Sequence, residues 1–197
     1  MSKVISYFKE SSQLIGSLGS FEKELTEFTD LILQTKKNKN KILVAGNGGS
    51  CADAEHFTGE LQCTFKDSNR QPVSAFAITG TTAALTAWGN DFSFHTFFSR
   101  QVEAHGNKND ILVLISTGGG SSEGASSNLV KAAHKAKKLD MKIVSFVGKT
   151  GGELKNMSNI CFHIQNNITS LIQEAHMSLL HCICENLEEK LKGEKIE

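Results

Sequence analysis

The chain has almost no proline and no net charge. Pro72 is the single proline in 197 residues, no segment is of low complexity and no fixed period repeats. That leaves no place for a Pro-rich linker, a repeat array or a hinged second domain. One domain over 1–197 is expected, with a helical segment at 1–37 and an α/β core at 38–191. Lys plus Arg total 21 and Asp plus Glu total 21, so the basic excess of a polyanion binder is missing and nucleic acid is not expected as a partner. No stretch approaches the roughly 20 apolar residues of a membrane span, and the start of the chain lacks the apolar run of a leader, so a cytoplasmic protein without membrane contact is expected. The five cysteines, Cys51, Cys63, Cys161, Cys182 and Cys184, are odd in number and form no CxxC pair. Reduced, mostly buried thiols are expected from that pattern, not a disulfide framework.

What is present is an alternation. Short apolar runs stand at 42–45, 73–78, 111–115, 142–147 and 160–164. Helical stretches lie between them near 50–63, 81–88, 92–105, 122–138 and 151–156, and a long apolar-periodic helix closes the chain at about 168–191. Leu14, Leu18, Phe21, Leu25, Phe28 and Leu31 recur at three- and four-residue steps, so 1–37 reads as helix. Strands alternating with helices predict an α/β fold, a three-layer sandwich around a five-stranded parallel sheet covered on both faces. Such sheets bind ligands at the carboxyl ends of their strands, near the point where strand order reverses.

Two of those ends carry unusual sequence. The first strand runs into Gly46-Asn47-Gly48-Gly49-Ser50 and the third into Ser116-Thr117-Gly118-Gly119-Gly120-Ser121-Ser122, each opening a helix. Glycine lets the backbone turn tightly and approach a ligand, and free N–H groups at a helix start attract an anion. Hydroxyls added to those N–H groups make a neutral cradle suited to a sugar monophosphate. No Lys-Ser/Thr follows either loop and no GxGxxG is completed, which argues against a nucleoside triphosphate or dinucleotide. Each loop alone also reads as a capped turn with packing glycines.

His56 and Glu60 stand four apart in the helix after the first loop, hence on one face. Gln173 and His181 stand eight apart in the last helix and also share a face, about 12 Å apart along its axis. A carboxylate with an imidazole suits aldose–ketose isomerisation, which needs a base for the carbon proton and an acid for the oxygens. A helix-surface contact and a core histidine are the plainer readings, and the same four residues are also a conceivable zinc set. His95, His105, His134 and His163 read as structural or surface residues, and Trp88 as core.

Together these residues resemble the sugar-isomerase (SIS) family, and within it the phosphoheptose isomerases. The resemblance spans about 1–191. It is carried by Gly46-Asn47-Gly48-Gly49-Ser50, Asp53-Ala54-Glu55-His56-Phe57, Glu60-Leu61, Gly89-Asn90-Asp91, Ile115-Ser116-Thr117, Gly151-Gly152, Gln173-Glu174-Ala175-His176 and His181. It implies a flavodoxin-like SIS sheet with an N-terminal helical segment and a long C-terminal helix. It further implies substrate contacts from Asn47, Gly48, Gly49, Ser50, Glu60, Asn90, Asp91, Ser116, Thr117, Gly118, Ser121 and Gln173, with Glu60 and His181 as the acid/base pair. From the same resemblance come one zinc per subunit on His56, Glu60, Gln173 and His181, and a homotetramer with active sites where subunits meet. The implied reaction converts sedoheptulose 7-phosphate to D-glycero-D-manno-heptose 7-phosphate for lipopolysaccharide core or related glycans. Gly118 stands where the family commonly has serine, and Thr64 and Leu171 stand where it often has arginine. The alternative is a non-catalytic SIS protein that binds a replication initiator. Glu60 and His181 speak against it, since such proteins are expected to lack both. A sugar-phosphate sensor domain is less favoured still, because no DNA-binding segment accompanies it.

Overall fold

The computed structural model describes residues 2–192; Met1 and 193–197, the ends of the expected domain, lie outside the described residues. The elements follow in the order α1 (Lys3–Ser17), a 3-10 turn (Leu18–Phe21), α2 (Glu22–Lys37), β1 (Ile42–Gly46), α3 (Gly49–Gln62), β2 (Ala75–Ala77) and α4 (Thr82–Asp91). A second 3-10 turn (Phe94–Thr96) leads into α5 (Phe97–His105). Then come β3 (Ile111–Ser116), α6 (Ser127–Lys138), β4 (Lys142–Gly148), α7 (Gly152–Met157), β5 (Ile160–Ile164) and α8 (Thr169–Leu191). All strands pair parallel in the order β2-β1-β3-β4-β5, so order reverses between β1 and β3, the strands that end in the two glycine loops. The sheet is the expected flavodoxin-like one.

The sequence dictates this by period. Along β1, Ile42 and Val44 face one side, where α2, α3 and α8 pack, and Leu43 and Ala45 face the other, where α5 and α6 pack. Both faces are covered, which is why the strands are continuous apolar runs. An aromatic cluster fills the first side: Phe28 lies 6.4 Å from Phe57 and 6.2 Å from both Phe146 and Phe162, which stack on each other at 4.5 Å.

Three elements depart from the expectation. The single helix over 1–37 is two helices, because the chain tightens into a 3-10 turn around Gly19. The helix after β3 starts at Ser127, not 122, because the preceding segment is drawn to α7. Of the cysteines, all five are free, but Cys63 and Cys182 are exposed and only Cys184 is buried. α1 contributes no fully buried residue; its Leu14 and Ile15 pack on the core, and Tyr7 and Ser11 (2.6 Å) donate to the carboxylate of Glu174 on α8. Those two hydroxyls hold the Glu174 carboxyl below its ordinary range.

One long-range interaction aligns the working helices. Glu188, near the end of α8, accepts hydrogen bonds from the backbone N–H groups of Phe65 (2.8 Å), Lys66 (2.9 Å) and Asp67 (3.0 Å) and from Arg70 Nε (3.2 Å). Arg70 spends its other four N–H groups on carbonyls: Nη1 on Leu61 (3.1 Å) and Gln71 (2.9 Å), Nη2 on Glu60 and Cys63 (3.1 Å). Those carbonyls include the orphaned ones at the end of α3, so the guanidinium caps that helix from outside. Both side chains are buried, Arg70 at 1% and Glu188 at 6% exposure. Burial pushes the Glu188 carboxyl up, but the three amides and the guanidinium together outweigh it and hold it below the usual carboxylate range.

Breaking a buried ion pair from one side costs about 3–5 kcal/mol. We therefore expect Glu188→Gln to lower the melting temperature by about 10 °C in thermal unfolding. The group's folded pKa lies below its unfolded value, so its stabilisation is present above about pH 4.3 and lost as pH falls through the folded value. The gap between wild type and variant should accordingly be full at pH 7 and narrow below about pH 4. A gap independent of pH would show that the charge is not what stabilises.

Candidate active site

The first loop is built by close approach. Gly48 sits at φ +58°, and α3 opens at Gly49. A Cβ on Gly49 would lie 2.2 Å from Gln173 Nε2, so glycine here lets the start of α8 press its amide against the loop. Ser50 is buried, its N–H on the Asn47 carbonyl (3.1 Å). Asn47 faces across the sheet end: its amide pairs reciprocally with that of Asn128 on α6, at 3.0 Å in each direction, and stands 3.5 Å from Ser126 Oγ. The two loops are thereby tied together.

The second loop is longer than its sequence suggests. Ser116 Oγ accepts the Gly119 N–H (3.2 Å) and lies 3.5 Å from Ser126 Oγ; Thr117 is half-buried and Gly118 exposed. Gly119, at φ +74°, crosses beneath the loop after β4 so closely that a Cβ would lie 1.9 Å from the Gly151 carbonyl oxygen. Glu153 and Leu154 then donate backbone N–H groups to the Gly120 and Gly119 carbonyls, both at 3.0 Å. The Glu153 carboxylate takes both the N–H (2.5 Å) and the Oγ (2.6 Å) of Ser122, which holds that carboxyl below its ordinary range. The chain from 121 to 125 is thus drawn to α7, with Ser121 N–H on the Ala125 carbonyl (3.1 Å), and helix begins only at Ser127.

In consequence Ser121 does not stand at a helix start. The positions that do are Ser126, Ser127 and Asn128, which sequence reasoning missed. Their signal was present, since Ser-Ser-Asn directly before the apolar-periodic Leu129-Val130 is a cap pattern. Between the loops lies a cleft of about 430 Å³, lined by Asn47, Gly48, Phe94, His95, Ser126, Ser127 and Asn128 among others. Asn90 and Asp91 end α4, exposed and bonded to each other at 2.7 Å. A larger cleft of about 620 Å³, beside edge strand β2 at Phe76, Ile78 and Thr81, contains none of the loop residues.

The acid/base candidates do converge. His56 Nε2 lies 2.9 Å from His181 Nε2 and 3.4 Å from Glu60 Oε1, so α3 and α8 bring together residues 125 apart in the chain. The ring of Phe65 stacks on His181 at 5.5 Å between centroids. Glu60 is 23% exposed, and His56 is its single ion-pair partner among the described residues. Deeper in, Asp53 carries a buried Oδ2 without a partner, and burial lifts its carboxyl to about 6 against a smaller pull from His56. His176, fully buried beside Phe146, is driven to about 4 by burial, with a slight counter-pull from the Val147 backbone; neither ring nitrogen reaches a partner in good geometry. It is a neutral core histidine.

Two imidazoles and a carboxylate are the right donors for zinc, and ligands of one tetrahedral zinc stand about 3.3 Å apart. The separations of 2.9 and 3.4 Å around His56 are near that value. The two rings nonetheless touch as hydrogen-bond partners. Among the described residues no three His, Cys, Asp or Glu side chains form a ready ligand shell. Gln173, the fourth residue of the set, packs on Gly49, and eight residues of helix separate it from His181.

Comparison with known proteins agrees with this layout. The SIS domain family matches residues 6–148. The phosphoheptose isomerase of Helicobacter pylori (strain P12) is 41% identical over 172 residues, covering 87% of this chain and 86% of the other. That of Clostridium acetobutylicum is 36% identical over 188 residues, covering 95% and 93%. The solved phosphoheptose isomerase of Francisella tularensis superposes with a TM-score of 0.87 at 34% identity, covering 96% of this chain and 100% of that one. With such identity across most of each sequence, and the same fold over the whole of a solved member, the chain belongs to the phosphoheptose isomerase family of SIS-domain proteins.

Proposed function

We propose that this protein isomerises sedoheptulose 7-phosphate to D-glycero-D-manno-heptose 7-phosphate. The observation that carries the reading is the convergence of Glu60 and His181 through His56, on helices that adjoin the glycine loop after β1. The phosphoryl group sits at the start of α6, where N–H groups and the hydroxyls of Ser116, Ser126 and Ser127 are gathered. The Glu60 carboxylate takes a proton from C1 of the ketose, giving an enediol, and returns it to C2. His181 moves the hydroxyl proton between O2 and O1, so the reaction is redox-neutral and needs no external reactant. Phe65 and the Arg70–Glu188 pair hold the two helices in register for this.

His56, Glu60 and His181 are the residues that would hold a zinc ion, with Gln173 the fourth of the family set. When bound, such an ion polarises the carbonyl and hydroxyl oxygens of the substrate. Assembly is part of the same reading. The exposed Val4 (65%), Ile5 (57%) and Phe8 (67%) give α1 an apolar face that a homotetramer would cover. Among the described residues no helix is long and apolar enough to cross a membrane. We place the enzyme in the cytoplasm, supplying heptose for lipopolysaccharide or related glycans. The partner-binding alternative has nothing in the site to favour it, since the acid/base pair is assembled.

Glu60→Gln is expected to cut turnover by at least about 10⁴-fold, with the melting curve and phosphate binding little changed; aldose formation from sedoheptulose 7-phosphate measures this. Near-normal turnover would remove Glu60 from its role. Zinc should co-purify with the wild type and be lost from His56→Ala by elemental analysis. Fully active, metal-free protein would refute the zinc assignment.

A further inference from the structure

Among the described residues neither Lys nor Arg lines the cleft between the loops. A phosphoryl dianion placed there meets hydroxyls, amides and backbone N–H groups, all neutral. Among the described residues the one titratable side chain in the lining is His95.

His95 is held from both ends. It lies in the 3-10 turn Phe94–Thr96, where its backbone N–H is capped by Ser93 Oγ (3.1 Å) and Trp88 Nε1 donates to Thr96 Oγ1 (2.9 Å). Its ring reaches across to α6, with Nδ1 2.6 Å from Ser127 Oγ. Ser127 is itself buried, at 3% exposure, as the first residue of the helix whose N-terminus faces the cleft. With Nδ1 engaged by that hydroxyl, Nε2 is the free ring nitrogen and makes no hydrogen bond within the described residues. When Ser127 donates to Nδ1, the neutral ring carries its proton on Nε2; when the ring is cationic, both nitrogens carry one. Either form offers an N–H to an anion in the cleft, and an anion selects those forms over the remaining tautomer.

We propose that His95 is a phosphate-recognition residue of this cleft, with Ser127 positioning its ring. The inference rests on the reading that a sugar phosphate binds here with its phosphoryl group at the start of α6. It adds a donor to the cleft from a different element, the turn between α4 and α5.

A hydrogen bond to a charged group corresponds to at least about a tenfold change in affinity. His95→Ala should therefore weaken inorganic phosphate binding, measured by calorimetry, about tenfold or more. It should raise KM for sedoheptulose 7-phosphate by a similar factor with kcat within about twofold. Inhibition by unphosphorylated sedoheptulose should not change. His95→Gln, whose amide nitrogen can stand near the place of Nε2, should recover part of the loss, and it serves as the test if the alanine variant melts early. Unchanged phosphate affinity in a folded variant would overturn the proposal. So would a fall in kcat at constant phosphate affinity, or a wild type that binds no phosphate. A wild type that binds phosphate without turning over the heptulose phosphate would defeat the isomerase reading, and the phosphate arm would still decide the role of His95.

Discussion

The contact between Glu188 and Arg70 is the constraint on which the site depends. Glu60 and His181 sit on different helices, 121 positions apart, so their relative register is set by contacts between α3 and α8 and around their ends. Glu188 lies seven residues after His181, two turns along the same face of α8. Its carboxylate gathers three successive backbone N–H groups from the segment just after α3, and through Arg70 it reaches back to the last carbonyls of α3 itself. The segment so gathered carries Phe65, whose ring lies on His181. One carboxylate thus sets the end of α3, the strap after it and the imidazole on α8. Arg70 is also neutralised in the process. All five of its N–H donors are committed, so a cation that touches the Glu60 backbone does not pair with the Glu60 carboxylate.

The other half of the site is set by steric closeness. Gly49 admits the Gln173 amide to the first loop, and Gly119 passes under Gly151 and Gly152 with no room for a side chain. These approaches bring the loops after β1, β3 and β4 together at the carboxyl end of the sheet, beside the point where strand order reverses. The reciprocal Asn47–Asn128 pair then locks the first loop to the helix that follows the second. On the function proposed, binding and proton transfer are divided accordingly: the sheet end would hold the anion, and the flank made by α3 and α8 the acid and base.

Much of this was legible in the sequence, for identifiable reasons. Buried parallel strands must be apolar throughout, so Ile42–Ala45, Ile111–Ile115 and Ile143–Val147 announced themselves. Glycine clusters at strand ends have few other uses, so both loops stood out. His56 and Glu60 were readable as a pair because an i,i+4 spacing fixes a face. What could not be read was whatever depends on contacts between distant segments. The sequence reads as a helix directly after the second loop, from about 122. Here Ser122 is instead captured by Glu153, 31 residues away, and the helix start moves to Ser127. Arg70 and Glu188 are 118 residues apart and look like ordinary surface charges in the sequence. His95 reads as a structural or surface residue in the sequence, since no neighbour in its own segment marks it; its partner Ser127 comes from α6.

The division between the two halves also explains why a neutral cradle suits this chemistry. A base that must lift a proton from carbon is weakened by every nearby positive charge, because cations stabilise its ionised form. A phosphate bound by fixed arginines would bring such charges into the same small site. Backbone N–H groups, hydroxyls and amides hold the anion through short-range, directional bonds whose dipoles fade quickly with distance. In this chain the arginine nearest the base is spent on Glu188 and on carbonyls, and the family's common arginines at Thr64 and Leu171 are absent. Without a bound metal, the Glu60 carboxylate is paired with one imidazole among the described residues, that of His56, which in turn touches His181. In the isomerisation proposed, proton transfer at that flank would be carried by groups that can themselves gain or lose a proton, as acid/base catalysis requires.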